Sequence, residues 1–154
     1  MRERATSVDP AVSGVPPEDL MIAVEQLVRY VRRSATAGDL SATASTALGR
    51  LGREGPQRLT VLARSEGVSQ PNMTQLVNRM ERGGLVQRVA DPSDGRVVLV
   101  EATEAGLQIF RQRHAERARA LQQLIEELAE PEQRAVKVAL PALARAIQDL
   151  RPPS

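Results

Sequence analysis

The chain has no cysteine and no tryptophan, and only one tyrosine, Tyr30, and one phenylalanine, Phe110. The absence of cysteine excludes disulfides, thiolate zinc sites and thiol redox sensing within this chain. A single histidine, His114, argues against an imidazole-rich metal site, so no metal and no cofactor are expected. No apolar run approaches the ~20 residues that span a bilayer, and the opening MRERATSVDPAVSGVPP has no hydrophobic stretch of signal-peptide type. The expectation is a cytoplasmic protein without a membrane partner. An enzyme is not expected either. Catalysis needs a nucleophile–base pair, a metal cluster or a phosphate loop, and this composition supplies none of them.

What is present is aliphatic and cationic. Hydrophobic residues make up 42% of the 154 positions while aromatics make up 1%, so the core must be aliphatic and alanine-rich, which suits helices. The formal net charge is only +2, but the cations are nearly all arginine, with Lys137 the sole lysine. Arginine pairs bidentately with phosphates and base edges, which suits nucleic acid. A GC-rich coding sequence enriches arginine as well, so position has to decide between the two. Residues 50–100 hold eight arginines (50, 53, 58, 64, 79, 82, 88, 96) against five acids (54, 66, 81, 91, 94), an excess of three that exceeds the net charge of the whole chain.

The hydrophobic spacing predicts a mainly α fold with one small β-hairpin. Residues 1–17 lack periodicity and read as a flexible arm. Leu20, Val24, Leu27, Val28 and Val31 form an amphipathic stripe on a first helix ending near Gly38. A second helix runs from the candidate N-cap Ser41 to Gly55-Pro56, and a short third one covers LTVLARSE, with a turn at Gly67. The next helix begins at Ser69 and ends at Gly83-Gly84. Its residues Met73, Leu76, Val77 and Met80 form an inward stripe, while Asn72, Gln75, Asn78, Arg79 and Arg82 lie opposite. VQRV and VVLV flank DPSDGR as a hairpin. Thr103 then caps a long helix whose Leu107, Phe110, His114, Arg117, Leu121, Leu124 and Leu128 read as a heptad-like seam. A last helix, about 131–150, carries Val136, Leu140, Leu143, Ile147 and Leu150 on one side and Pro141 inside.

Two short helices joined by a tight glycine turn are the helix-turn-helix pattern. The outer side of the second carries Asn, Gln and Arg in place of the Glu/Lys mixture of an ordinary solvent face. Asparagine and glutamine can pair bidentately with adenine, and arginine with guanine. Ser69, Gln70 and Thr74 cluster at its N-terminal end, where a helix favours phosphate. The hairpin places Arg88 near its base and Arg96 at its tip, within reach of a minor groove or flanking phosphates. Asp94, two residues before Arg96, is placed to aim that guanidinium.

The run SQPNMTQLVNRMERGGLVQRVADPSDGRVVLVEATEAG resembles the multiple antibiotic resistance regulator (MarR) family of winged helix-turn-helix transcription factors. The matching features are ERGGLVQR closing the recognition helix, the DGR wing tip, Thr103 and Gly106 in a T-x-x-G, and GPQRLTVLA from Gly55 to Ala63. In helix order and spacing the resemblance spans about residues 18–150. Glu101-Ala102 stands where the family often has a hydrophobic residue, and pocket aromatics are scarce. The resemblance implies a homodimer, with residues 18–37 and 103–150 forming a helical dimerisation region and 38–102 the winged helix-turn-helix. It implies double-stranded DNA as partner. Ser69, Gln70, Pro71, Asn72, Thr74, Gln75 and Arg79 would face the major groove, Asp94 and Arg96 would form the wing contact, and Arg82 and Arg88 are weaker candidates. It further implies a repressor released from a pseudo-palindromic operator by a small anionic or phenolic effector, for which Arg29, Tyr30, Arg33, Phe110 and His114 are the candidate pocket. The alternative is a winged helix that binds DNA constitutively, or binds protein, with no effector.

Overall fold

The computed structural model describes residues 14–150 of the chain. Most of the arm expected over residues 1–17, and the terminal residues 151–154, lie outside the described residues. The elements run α1 (Pro17–Arg33), α2 (Ala42–Glu54), β1 (Gln57–Arg58), α3 (Leu59–Glu66), α4 (Gln70–Arg82), β2 (Val86–Ala90), β3 (Val98–Ala102), α5 (Glu104–Glu126) and α6 (Glu130–Asp149). The strands form one antiparallel sheet in the order β1-β3-β2. The fold is mainly helical with a small wing, as the sequence pattern predicts.

Local chemistry sets these boundaries. Ser41 Oγ accepts from the Ala44 N–H at 3.2 Å, and Thr103 Oγ1 accepts from the Gly106 N–H at 3.1 Å, so each hydroxyl satisfies an otherwise orphaned helix donor. α3 stops at Gly67, which adopts the left-handed φ of 64° that glycine takes without a Cβ penalty. α1 ends earlier than the sequence predicts, at Arg33. There Ser34 Oγ donates back to the Val31 carbonyl at 2.6 Å, and Gly38 sits instead in a separate 3-10 turn, Ala37–Asp39. β1 has no counterpart in the sequence reading. Its residues pair Gln57 with Val100 and Arg58 with Leu99, adding a third strand to the hairpin. Two residues are too few to carry an alternating pattern.

The core lies where α2, α3 and α4 meet the sheet. Leu48, Leu51, Leu62, Met73, Leu76, Val77, Met80, Val86 and Val100 are buried there. Gly106 joins this unit to α5. A Cβ at that position would stand 2.0 Å from the Leu85 carbonyl oxygen, so only glycine lets the long helix approach the start of β2. Beside it, the Thr103 N–H donates to Leu85 O at 3.0 Å and Thr103 Oγ1 donates to Gly84 O at 2.6 Å.

The residues of α5 that are fully buried in the single chain are Gly106, Arg113 and Ala120, and the expected seam members Phe110, Arg117 and Leu121 flank them, half-buried. Phe110 packs against Gly52 of α2, and His114 is exposed. The spacing of the large side chains conceals this, because the inward positions are glycine, alanine and an arginine. α1 and α6 contain no buried residue. Leu20, Val24 and Val28 of α1, and Leu140, Leu143 and Ile147 of α6, leave their apolar stripes uncovered in the single chain.

Candidate nucleic-acid interface

The inner stripe of α4 is complete. Met73, Leu76, Val77 and Met80 are all buried against α3 and the sheet. The helical period then turns Gln70, Asn72, Gln75, Asn78, Arg79 and Arg82 outward, and each is exposed. Pro71 is exposed at the second helical position. Ser69 is exposed but its oxygen caps the Asn72 N–H at 3.3 Å, and Thr74 is half-buried, its hydroxyl donating to the Gln70 carbonyl at 2.9 Å. Pro71 has no N–H. Of the first three helical positions, therefore, only the Gln70 N–H stays open to an anion. The expected phosphate corner at Ser69, Gln70 and Thr74 is narrower than the residue types alone imply.

The wing is a regular ladder from Val86 opposite Ala102 to Ala90 opposite Val98. Its loop is organised by two aspartates. Asp91 Oδ1 accepts from the Ser93 N–H at 2.9 Å and the Ser93 hydroxyl at 2.7 Å, and these bonds lead in holding its carboxyl below the usual range. Asp94 Oδ1 accepts from the Arg96 N–H at 3.1 Å and from Arg96 Nε at 3.2 Å, which lowers Asp94 in the same way. The Arg96 side chain is 93% exposed even so. Asp94 therefore directs the guanidinium without covering it. Arg58, at the start of α3, lies 3.9 Å from the Asp91 carboxylate and places a second cation at the root of the loop. Arg88 differs from expectation. It pairs with Val100 in the middle of the ladder, and its side chain turns back onto α4.

The five candidate pocket residues do not converge. Arg29, Tyr30 and Arg33 line a shallow hollow on α1 with Gln26 and Ser34, whereas Phe110 and His114 neighbour each other along α5, their rings tilted by 36° with centroids 6.4 Å apart. A larger cavity of about 640 Å³ lies between α1, α2 and α5. Leu27, Val28, Val31, Leu121 and Leu140 supply apolar wall, and Arg32, Arg33, Arg53, Arg113 and Arg117 supply charge. None of these arginines is in an ion pair among the described residues. Arg113 is 7% exposed. Its Nε donates to Ser45 Oγ at 3.0 Å and its Nη1 to the Ala37 carbonyl at 2.7 Å. Arg117 Nη2 shares that Ser45 oxygen at 3.0 Å, while its Nε is buried without a partner among the described residues. Burial, and then the charges of Arg113, Arg32 and Arg53, lower the Arg117 pKa. Glu116 accepts from the Thr36 and Ala37 N–H groups at 2.8 and 3.2 Å and so clamps the α1–α2 connection onto α5. Sequence spacing does not reveal the buried Arg113, because it sits among Arg111, Glu116, Arg117 and Arg119 and reads with them as solvent-facing.

Comparison with known proteins agrees with this geometry. The sequence profile of the MarR family matches residues 40–98. YfiV, an uncharacterized HTH-type transcriptional regulator of Bacillus subtilis, is 31% identical over 113 residues, 73% of this chain and 71% of its own length. The chain belongs to the MarR family. MarR-family transcriptional regulators are non-enzymatic DNA-binding proteins. An uncharacterized HTH-type regulator of Mycobacterium bovis is 34% identical over 93 residues, and this MarR-family chain spans 65% of that relative's length and matches over 60% of its own. Among solved structures, a transcriptional regulator from Thermotoga maritima superposes with a TM-score of 0.74 at 19% identity, covering 86% of this chain and 96% of that one. A Mycobacterium tuberculosis structure gives a TM-score of 0.73 at 25% identity, covering 96% and 99%. The chain shares its winged-helix fold with both structures. No helix among the described residues is long and apolar enough to cross a membrane.

Proposed function

We propose that this chain is a homodimeric, sequence-specific DNA-binding repressor that an organic anion releases from a pseudo-palindromic operator. The observation that carries the DNA reading is the outward face of α4, with Gln70, Asn72, Gln75 and Arg79 exposed beside a wing whose Arg96 is aimed by Asp94. Residues 38–102 are the reading unit in this proposal, and residues 18–37 and 103–150 hold the two copies together. The uncovered stripes of α1 and α6 support that division, since apolar faces of this extent are stabilised by burial. Twofold symmetry then puts the recognition helices one DNA turn, ~34 Å, or a multiple of it apart.

The release step rests on the arginine-lined cavity. Unpaired guanidiniums over an aliphatic wall suit a carboxylate with an apolar body. Binding there draws on Arg113 and Arg117, the same groups that hold Ser45 of α2 and the Ala37 carbonyl. An anion that competes for those donors shifts α2 relative to α5, provided that it binds the two arrangements unequally. The test is fluorescence anisotropy of the protein on DNA from upstream of its own coding sequence, with benzoate titrated in. Benzoate is expected to lower DNA affinity of the wild type and to have little effect on Arg117→Met. If DNA binds tightly and selectively but ignores benzoate and longer aliphatic acids alike, the constitutive alternative replaces the release step.

A further inference from the structure

Arg88 bridges the wing and the recognition helix. It leaves the middle of β2 and forks onto two α4 residues one turn apart, with Nη1 on the Glu81 carboxylate and Nη2 on Asn78 Oδ1 at 2.8 Å. A guanidinium has donors only, so the Asn78 atom facing it must be the carbonyl oxygen, whichever way an isolated amide would be drawn. The amide nitrogen therefore points away from Arg88. It makes no hydrogen bond among the described residues, and Asn78 is exposed. Asn78 also lies on the ridge Pro71, Gln75, Asn78, Arg82 at spacings of four, three and four, all exposed. That ridge belongs to the face proposed to enter the major groove.

We infer that Arg88, neutralised by Glu81, is a positioning residue that presents Asn78 to DNA as a hydrogen-bond donor, and so sets base preference at one position of each half-site. The inference rests on the DNA-reading role proposed above. A free asparagine reads adenine bidentately, accepting from N6 and donating to N7. An asparagine whose oxygen is engaged leads with its NH2. It then favours acceptors on the groove edge, adenine N7, guanine N7 and O6 or thymine O4, and rejects the cytosine N4 donor. Arg88 itself stays on the protein and makes no phosphate contact.

The experiment is selection from a randomised duplex library with wild type, Asn78→Ala and Arg88→Met, alongside salt titrations on one selected duplex and thermal melting of each protein. Methionine keeps the aliphatic stem and removes the donors. Both variants are expected to lose preference at the same base position of each half-site, by about three- to tenfold per half-site, the worth of one hydrogen bond. The Arg88→Met salt slope and melting temperature should match wild type, and the double variant should be no worse than either single one. An unchanged consensus with a salt slope lower by about one contact per subunit would place Arg88 on a phosphate and overturn the inference. So would loss of preference at a position Asn78→Ala does not affect. A wild type that enriches no sequence would overturn the DNA reading itself, and is thereby distinct from these results.

Discussion

Gly106→Ala tests how the long helix is joined to the DNA-reading unit. Helix propensity alone makes alanine better by about 1 kcal/mol at an exposed helical position. Gly106 is buried, and the new Cβ would fall 2.0 Å from Leu85 O and 3.2 Å from Leu48 Cδ1. The first distance is 1.4 Å short of ordinary contact at 3.4 Å, and the obstacle is backbone, which cannot rotate aside. α5 must move away from β2. That strains or breaks the Thr103 N–H bond to Leu85 O and the Thr103 hydroxyl bond to Gly84 O. Overpacking of this kind costs about 1–3 kcal/mol, and each weakened hydrogen bond about 0.5–1.5 kcal/mol. Set against the propensity gain, the net loss is about 1–5 kcal/mol, roughly 2–20 °C in melting temperature for a chain of this length. The assay is thermal unfolding at one fixed protein concentration, since a dimer's melting temperature depends on concentration. A Gly106→Ala protein that melts at or above the wild-type temperature would refute the account of this joint.

Other perturbations separate the wing, the cap and the clamp. Arg96→Ala should weaken DNA binding across all sequences and lower the salt slope by ~0.9 per wing, ~1.8 for the dimer, while leaving melting unchanged because the side chain is almost fully exposed. An unchanged slope in titrations would remove the wing from the contact. Ser69→Ala removes the cap on Asn72 and should cost about 1 kcal/mol of stability, read from the urea midpoint; a midpoint equal to wild type would mean that the cap contributes nothing. Glu116 is held below the usual carboxylate range, chiefly by the Ala37 N–H. A lowered folded pKa gives stability that is present above the ordinary glutamate value and lost as pH falls through the folded one. Glu116→Gln should therefore be less stable than wild type near neutrality, with the gap closing in acid. A gap that stays constant across that range would contradict the clamp.

The sequence carries the helix-turn-helix and the wing because local signals and burial agree there. Ser69 caps, Gly67 turns, and the Met73, Leu76, Val77, Met80 stripe is the stripe that packs. It is less legible on α5, where the fully buried residues are Gly106, Arg113 and Ala120, none of which registers as hydrophobic bulk. The cavity is illegible for the same reason. Its arginines come from α1, α2 and α5, and helical spacing cannot show that Arg53, Arg113 and Arg117 face one another. The aromatic and histidine positions that attract attention in sequence, Tyr30 and His114, lie on exposed surface. Arg88 is likewise ordinary in sequence, because its partners Asn78 and Glu81 are brought near by the hairpin's return onto α4.

The most direct test of the central claim is anisotropy of the purified protein on duplex DNA from upstream of its own coding sequence, against a scrambled duplex, over a series of salt concentrations. Selective binding whose log affinity falls linearly with log salt, by ~0.9 per phosphate contact, is the predicted result. Equal binding to both duplexes, or affinity indifferent to salt, would contradict it.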